Sequence, residues 1–215
     1  MPEERSSGII LRTRPLTETS LIVHWITSDY GRLATVAKGA RRPQSPLRGK
    51  LDLFHAMDFT FSRSRRSELH TLREAVLRQT HPALRRDITR LQQAAYAVAL
   101  LELATETETP LPELFHLFNS WLNHLEEDAA SELGLLAFEA RALHELGWSP
   151  QSDRSRLSET ARPILAQLLS LDWPQLAGLR PAPAALRELE RFLGLFLAQH
   201  LGRMPRGRQG AFRLQ

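Results

Sequence analysis

The stretch "TSLIVHWITSDYGRLATVAKG", residues 19–39, decides the fold of the first third of the chain. It contains two short runs of apolar and β-branched residues, 19–27 and 32–39, separated by the connection "SDYG". Gly31 closes this connection and can adopt the positive φ that tight turns often need. The pattern therefore predicts two β-strands joined by a tight turn.

Three more strand-like runs flank this pair: "GIILRTR" (8–14) before it, and "LDLFHAMDFTFS" (51–62) and "ELHTLREAVL" (68–77) after it. In the run 51–62 apolar residues recur at every other position, which also places Asp52 and Asp58 on one solvent-facing side of a strand. Five short strands separated by turns are typical of a small closed barrel.

Beyond Pro82 the apolar residues recur at helical spacing. The predicted helices cover residues 83–104, from about 112, 129–147, roughly 160–170 and 183–201. The stretch 148–158 is polar and irregular, and the basic tail 202–215 is expected to be mobile. The chain is therefore predicted to be an α+β protein of two domains, a β-barrel over residues 1–80 and an all-α domain over residues 81–215.

The composition limits the class of protein. No cysteine occurs among the 215 residues, which excludes disulfides, thiolate nucleophiles and cysteine-based zinc sites. No run approaches the roughly 18–20 consecutive apolar residues of a membrane span, and the start "MPEERSSG" lacks the apolar stretch of a signal peptide. A soluble cytoplasmic protein with no membrane partner is therefore expected.

Positive charge is concentrated in the predicted barrel. Residues 1–80 carry 14 Lys and Arg against 8 Asp and Glu, whereas the formal net charge of the whole chain is +4. The excess is densest in "KGARRPQSPLRGK", residues 38–50, where five cations occur with two prolines, two glycines and no acid. This pattern favours a polyanion partner, and a basic surface that binds nothing is the alternative interpretation.

The same stretch supplies the candidate binding residues. Arginine presents a planar donor fork that suits phosphate, and glycine and proline keep such a run out of helices and strands. Tyr30, in the turn before Gly31, is an exposed candidate for base stacking, and Arg32 adds a cation beside it. The predicted nucleic-acid-binding residues are Tyr30, Arg32, Lys38, Arg41, Arg42, Arg48 and Lys50.

No pattern of catalytic residues is found. The sequence contains neither G-x-S-x-G nor H-E-x-x-H, and the pair Gly49-Lys50 lacks the rest of a phosphate-binding P-loop. His116 and His124 lie near several glutamates, but their spacing is more typical of surface residues than of metal ligands. We therefore expect a protein that is not an enzyme and that needs neither a metal nor another cofactor.

Three stretches resemble the RecO family of bacterial DNA repair proteins: "YGRLATVAKGARRPQSPLRGKLDLF" (30–54), "FEARALHELGWSP" (138–150) and "LAQHLGRMPRGR" (197–208). The resemblance implies an N-terminal OB-fold joined to a helical domain. It also implies a non-enzymatic recombination mediator in the cytoplasm, at the nucleoid, that binds single- and double-stranded DNA and anneals complementary strands. Such proteins contact the C-terminal tail of single-strand-binding protein and, with RecR, help to load the RecA recombinase.

One part of the chain departs from this family. Many members carry a four-cysteine zinc site after the "LGWSP" stretch, where this chain has "QSDRSRLSETARP" and no cysteine. The metal site is therefore not carried over to this chain.

The resemblance also suggests a site for the acidic, Phe-ended tail of single-strand-binding protein. Such a tail needs an apolar pocket edged by cations, and the candidate partner-binding residues in the helical domain are Arg141, Arg187 and Arg191. Alternatively, these arginines pair with nearby glutamates and bind nothing. For the whole protein, the alternative function is that of an RNA-binding accessory protein with an OB domain.

Overall fold

The computed structural model describes residues 3–212, apart from the side chain of Ser152. Its residues group into two compact units. The first contains the residues up to 81 together with 105–119, and the second contains 82–104 together with the residues from 120 onward. The two units are therefore interleaved along the sequence. The domain boundary after residue 80 stays a prediction.

The first unit is a closed barrel of five strands. The strands are β1 (Glu3–Pro15), β2 (Leu21–Thr27), β3 (Gly31–Ala37), β4 (Ala56–Ser62) and β5 (Leu69–Gln79). Their order around the barrel is β1-β2-β3-β5-β4, with β3 and β5 parallel and all other neighbours antiparallel. The predicted α+β fold, an OB-type barrel followed by helices, is confirmed.

Aromatic side chains fill the barrel. The Trp25 ring stacks on Phe59 with centroids 4.2 Å apart, and Phe61 lies next to Phe59 at 5.8 Å. The buried indole N–H of Trp25 donates to Thr35 Oγ1 at 2.9 Å, so its polar atom is satisfied within the core. Along β3, buried residues alternate with partly exposed ones, as expected of a strand that has one face in the core.

The predicted strand 51–62 is wrong at its start, because β4 begins only at Ala56. Phe54 has a φ of 65°, a left-handed conformation that a bulky residue adopts only under constraint. Its N–H donates to the Ile10 carbonyl at 2.9 Å and its carbonyl accepts from His81 Nδ1 at 2.8 Å. These bonds turn the chain, so Asp52 lies outside any strand and does not share one with Asp58.

The second unit is helical. The helices are α1 (Ala83–Arg86), α2 (Ile88–Ala104), α3 (Pro112–Glu127), α4 (Glu132–Glu145), α5 (Ala161–Ser170), α6 (Trp173–Gly178), α7 (Pro183–Leu201) and α8 (Arg208–Phe212), and a 3-10 helix covers Pro150–Arg156. The first residues of α3, up to 119, belong to the barrel unit. Among residues 3–212, no helix combines the length and the apolar character that crossing a bilayer requires.

The C-terminal segment was expected to be mobile, and this expectation is wrong for its described part. Residues 208–212 form α8, and Phe212 is buried. Arg208 donates to both carboxylate oxygens of the fully buried Glu139, at 2.7 and 2.8 Å, and the Tyr96 hydroxyl donates to the same carboxylate. Burial raises the pKa of Glu139, and Arg208 opposes that rise. Residues 213–215 lie outside the described part.

Candidate nucleic-acid interface

The basic loop, residues 38–50, runs from the end of β3 toward β4 and displays its cations to solvent. Its five charged side chains are all exposed: Lys38, Arg41, Arg42, Arg48 and Lys50. Within residues 3–212, none of the five forms an ion pair with a carboxylate. Their charge is therefore available to an external anion.

The backbone of the basic loop is ordered by a series of turns. The Arg42 N–H donates to the Gly39 carbonyl at 3.0 Å, and the Arg48 N–H donates to the Ser45 carbonyl at 3.1 Å. Ala40 is buried in the barrel core, which fixes the start of the loop. The apolar residues thus point inward, the cations point outward, and a ligand would meet a largely preformed surface.

The strand register places the basic loop at one end of the barrel. Leu21 pairs with Pro15 on one side and with Ala37 on the other, so β1 ends, β2 begins and β3 ends at this level. The Arg41 N–H also donates to the Thr19 carbonyl at 2.9 Å, which fixes the loop to the β1–β2 turn.

Arg14, near the end of β1, adds another exposed cation at this end of the barrel. It was not among the predicted residues, because only the strand register reveals that it lies beside the loop.

Tyr30 and Arg32 lie at the opposite end of the barrel. The Tyr30 ring contacts Phe61 edge-on with centroids 5.4 Å apart, and the Arg63 guanidinium lies 5.5 Å from the same ring. Burial and the nearby carboxylate of Glu4 raise the pKa of Tyr30. The structure therefore groups five of the seven predicted residues in the basic loop and places Tyr30 and Arg32 elsewhere.

Arg32 binds the segment that returns to the barrel from α2. Its Nε donates to Thr105 Oγ1 at 2.7 Å, and its carbonyl accepts the Glu108 N–H at 2.7 Å. The Glu108 carboxylate in turn binds Arg63 and accepts from His70 Nε2 at 3.0 Å. These contacts, which join residues far apart in sequence, give Arg32 a role inside the barrel unit that local sequence patterns do not signal.

The helical unit separates the three candidate partner-binding arginines. Arg141 donates to the carbonyls of Leu168 and Leu171, and its guanidinium lies 4.3 Å from the Trp173 ring centroid. Arg187 and Arg191 are exposed on α7. Arg141 is therefore occupied within the unit, whereas the two arginines of α7 remain at the surface.

A groove of about 190 Å³ lies beside Arg191. Its lining residues are Arg156, Leu157, Glu188, Arg191, Phe192, Leu195 and Phe196. Leu195 is 72% exposed and adds an apolar side chain to the surface beside the buried Phe192 and Phe196. Glu188 accepts the N–H and the hydroxyl of Ser158, both at 2.7 Å, and these bonds lower the pKa of Glu188.

The cysteine-free segment after Ser149 is held by packing. It begins with the 3-10 helix Pro150–Arg156, and Leu157, which follows, is only 2% exposed. No thiolate is present, and the part of the chain that the structure describes contains no cluster of three His, Asp or Glu placed to hold a metal. The residues of this segment do not fit the four-thiolate zinc site.

An OB-type barrel with a displayed cationic loop, followed by helices, defines a candidate class of polyanion-binding proteins. The family model "Recombination protein O N terminal" matches residues 1–81, and "Recombination protein O C terminal" matches residues 85–155. The chain belongs to the RecO family.

Three relatives illustrate the match, each named DNA repair protein RecO. The protein of Rhodopirellula baltica is 32% identical over 195 residues, which cover 80% of this chain and 72% of the relative. That of Syntrophus aciditrophicus is 32% identical, covering 69% of this chain and 58% of the relative. That of Myxococcus xanthus is 29% identical, covering 91% of each. The chain thus spans between about three fifths and nine tenths of these relatives.

Proposed function

We propose that this protein is a mediator of recombinational DNA repair that holds single- and double-stranded DNA by the basic loop and anneals complementary strands. Its membership in the RecO family supports a role in DNA repair and recombination. With RecR it would help to load RecA onto strands coated by single-strand-binding protein. The observation that carries the DNA-binding part is the ordered loop of five exposed cations that lack acidic partners.

Phosphate contacts explain how one surface serves strands of any sequence. Arginine and lysine at the surface release counterions from the nucleic-acid backbone when they bind it, and this contribution does not depend on the bases. A protein that holds backbones leaves base edges free to pair. Its positive charge also offsets the repulsion between two approaching strands, so binding by the basic loop and annealing follow from the same feature.

The function requires no chemistry from the protein itself. The sequence has no recognisable nucleophile–base pair, metal motif or phosphate-cradling P-loop. We therefore propose that it acts in the cytoplasm, at the nucleoid, as a binding protein rather than an enzyme.

The salt dependence of DNA binding tests the basic loop. If each of the five cations neutralises one phosphate of a single strand, log K falls against log salt with a slope of about −3.5. The double variant R41E/R42E removes two of these contacts, so we expect weaker binding and a slope flatter by at least about 1.4. Fluorescence anisotropy with a labelled oligonucleotide measures both quantities.

The double variant R203E/R206E is the matched control, because it reverses two exposed arginines in the C-terminal segment of the helical unit. An unchanged slope in R41E/R42E would remove the basic loop from the site. A preference for RNA over DNA of equal length in the same titrations would favour an RNA-binding accessory protein instead.

The groove beside Arg191 is the proposed site for the acidic, Phe-ended tail of single-strand-binding protein. Phe192, Leu195 and Phe196 offer an apolar surface for a terminal phenylalanine, and Arg156 and Arg191 offer cations for acidic residues. Leu195→Asp should weaken binding of a tail peptide at least tenfold, because it places a carboxylate where an apolar ring would pack. Leu16→Asp, at a leucine 47% exposed in the barrel unit, should not. Equal binding by both variants would rule out this groove.

A further inference from the structure

The β4–β5 turn, residues 63–68, carries a second group of cations. Arg65 and Arg66 at its tip are exposed, and neither forms an ion pair within the described range 3–212. The guanidinium groups of these arginines can donate to phosphodiester oxygens, as those of the basic loop can. Glu68 at the end of the turn is also exposed and reduces the local positive charge.

The base of this turn is fixed, so its tip is presented in a defined place. Arg63 binds Glu4 at 3.0 Å and also binds Glu108, which neutralises its charge. The hydroxyls of Ser64 and Ser67 lie 3.2 Å apart, and Ser64 Oγ accepts the Arg66 N–H at 3.3 Å. The ion pairs therefore use the inner arginine and leave the two outer ones for a ligand.

The two cationic groups lie at opposite ends of the barrel. Ser62, the last residue of β4, pairs with Glu3 at the start of β1, whereas the basic loop lies beside the end of β1. A seven-residue strand such as β2 spans about 20 Å, which sets the separation of the two ends.

The outer surface of β2 is mostly apolar between these ends. Ile22 and Ile26 are buried at 6% and 3% exposure, although neither belongs to the barrel core. A nucleic-acid backbone that follows β2 from one end to the other would meet two covered apolar residues, with only the half-buried His24 between them. This favours two separate sites over one continuous path.

We propose that the β4–β5 turn is a second, independent phosphodiester-binding site, which takes a second DNA strand while the basic loop holds the first. This inference rests on the proposed function, since it assumes that the basic loop binds single strands. With both sites filled, two strands are bound to the same barrel. Complementary strands then pair at a high effective concentration, without a second encounter in solution.

Calorimetric titration with a non-complementary single-stranded oligonucleotide at low salt tests the second site. The unmodified chain should bind two strands per polypeptide, and R65E/R66E should bind one. The affinity of R65E/R66E for this strand should differ less than twofold from that of the tighter site in the unmodified chain. Glu68→Gln should tighten the weaker site about two- to threefold, because it removes the one acid of the turn. The R203E/R206E control should still bind two strands.

Three outcomes would overturn this inference. A ratio of one strand for the unmodified chain would exclude a second site, and a ratio of two for R65E/R66E would place it elsewhere. A proportional loss of affinity and salt slope for the first strand in R65E/R66E would show a single continuous site. A failure of the proposed function is distinguishable, because it appears in R41E/R42E, whose substitutions lie at the other end of the barrel.

Discussion

Removal of the Arg208 guanidinium should destabilise the helical unit strongly. In Arg208→Ala the fully buried Glu139 carboxylate loses two charge-assisted hydrogen bonds, and the Glu190 carbonyl loses a third at 2.8 Å. Among the described residues 3–212, the Tyr96 hydroxyl then remains as the donor to the carboxylate. An uncompensated buried charge of this kind typically costs about 3–5 kcal/mol. For a chain of this size that corresponds to a fall in Tm of roughly 6–20 °C.

The same substitution should make stability depend on pH. Burial already raises the pKa of Glu139, and loss of Arg208 removes the main opposing influence, so the pKa rises further. The folded variant then binds a proton that the unfolded chain releases. Its free energy of unfolding therefore falls as pH rises through the interval between the two pKa values, by at most about 1.4 kcal/mol per pH unit. The variant should be closest to the unmodified protein at pH 5 and furthest from it at pH 8.

Urea unfolding followed by tryptophan fluorescence measures this effect, because three of the four tryptophans, at 121, 148 and 173, lie in the second unit. Arg203→Ala, at an exposed residue of the same segment, is the control and should change little. Replacing both partners, as in Glu139→Gln with Arg208→Met, should cost less than Arg208→Met alone. A loss below about 1 kcal/mol at pH 8, or an equal loss in the control, would refute the reasoning.

Three further predictions concern the same unit. Gly194→Ala should destabilise the unmodified protein, because the new Cβ would lie 2.9 Å from Arg208 Nη1. In the Arg208→Ala background it should instead stabilise the protein by up to about 1 kcal/mol, because alanine has the higher helix propensity. The urea midpoints give the direction of both changes in stability. Burial lowers the pKa of His124, so stability should decrease as pH falls below about 6.5, and His124→Gln should flatten that decrease in a pH series of melting curves. Chelators should leave the Tm unchanged, because packing rather than a metal holds the segment from 150 to 157; zinc in stoichiometric amount by elemental analysis, with a Tm that falls on chelation, would contradict this.

Local sequence patterns predict the strands that are determined by residues close together in the chain. The strands β2 and β3 follow from the run 19–39, because alternating residues there face the core and the turn between them needs only Gly31. The start of β4 was misjudged because Leu51 and Leu53 imitate a strand. Partners distant in sequence, Ile10 and His81, impose the left-handed conformation of Phe54 that interrupts it.

The candidate site shows the same division. Charge composition alone singled out the five cations of the basic loop, since they are contiguous in sequence. Arg14, Arg65 and Arg66 gain their significance from strand register, which the composition does not contain. The sequence predicts a mobile tail around Arg208, because its partner Glu139 lies 69 residues away and a basic, glycine-rich ending carries no local sign of a buried ion pair.

The return of residues 105–119 to the barrel has a consequence for biosynthesis. Thr107 forms a bridge with Arg32, and Glu108 binds Arg63, so the barrel unit is incomplete until these residues have left the ribosome. The 17 residues of α2, which belong to the other unit, are translated before that point. Domains generally fold in the order of their synthesis, but here the nascent chain must hold an unfinished barrel while part of the next unit emerges. No single cut in the chain would separate the two units. A fragment that stops at residue 80 would lack the segment 105–119, and with it the bridge from Thr107 to Arg32.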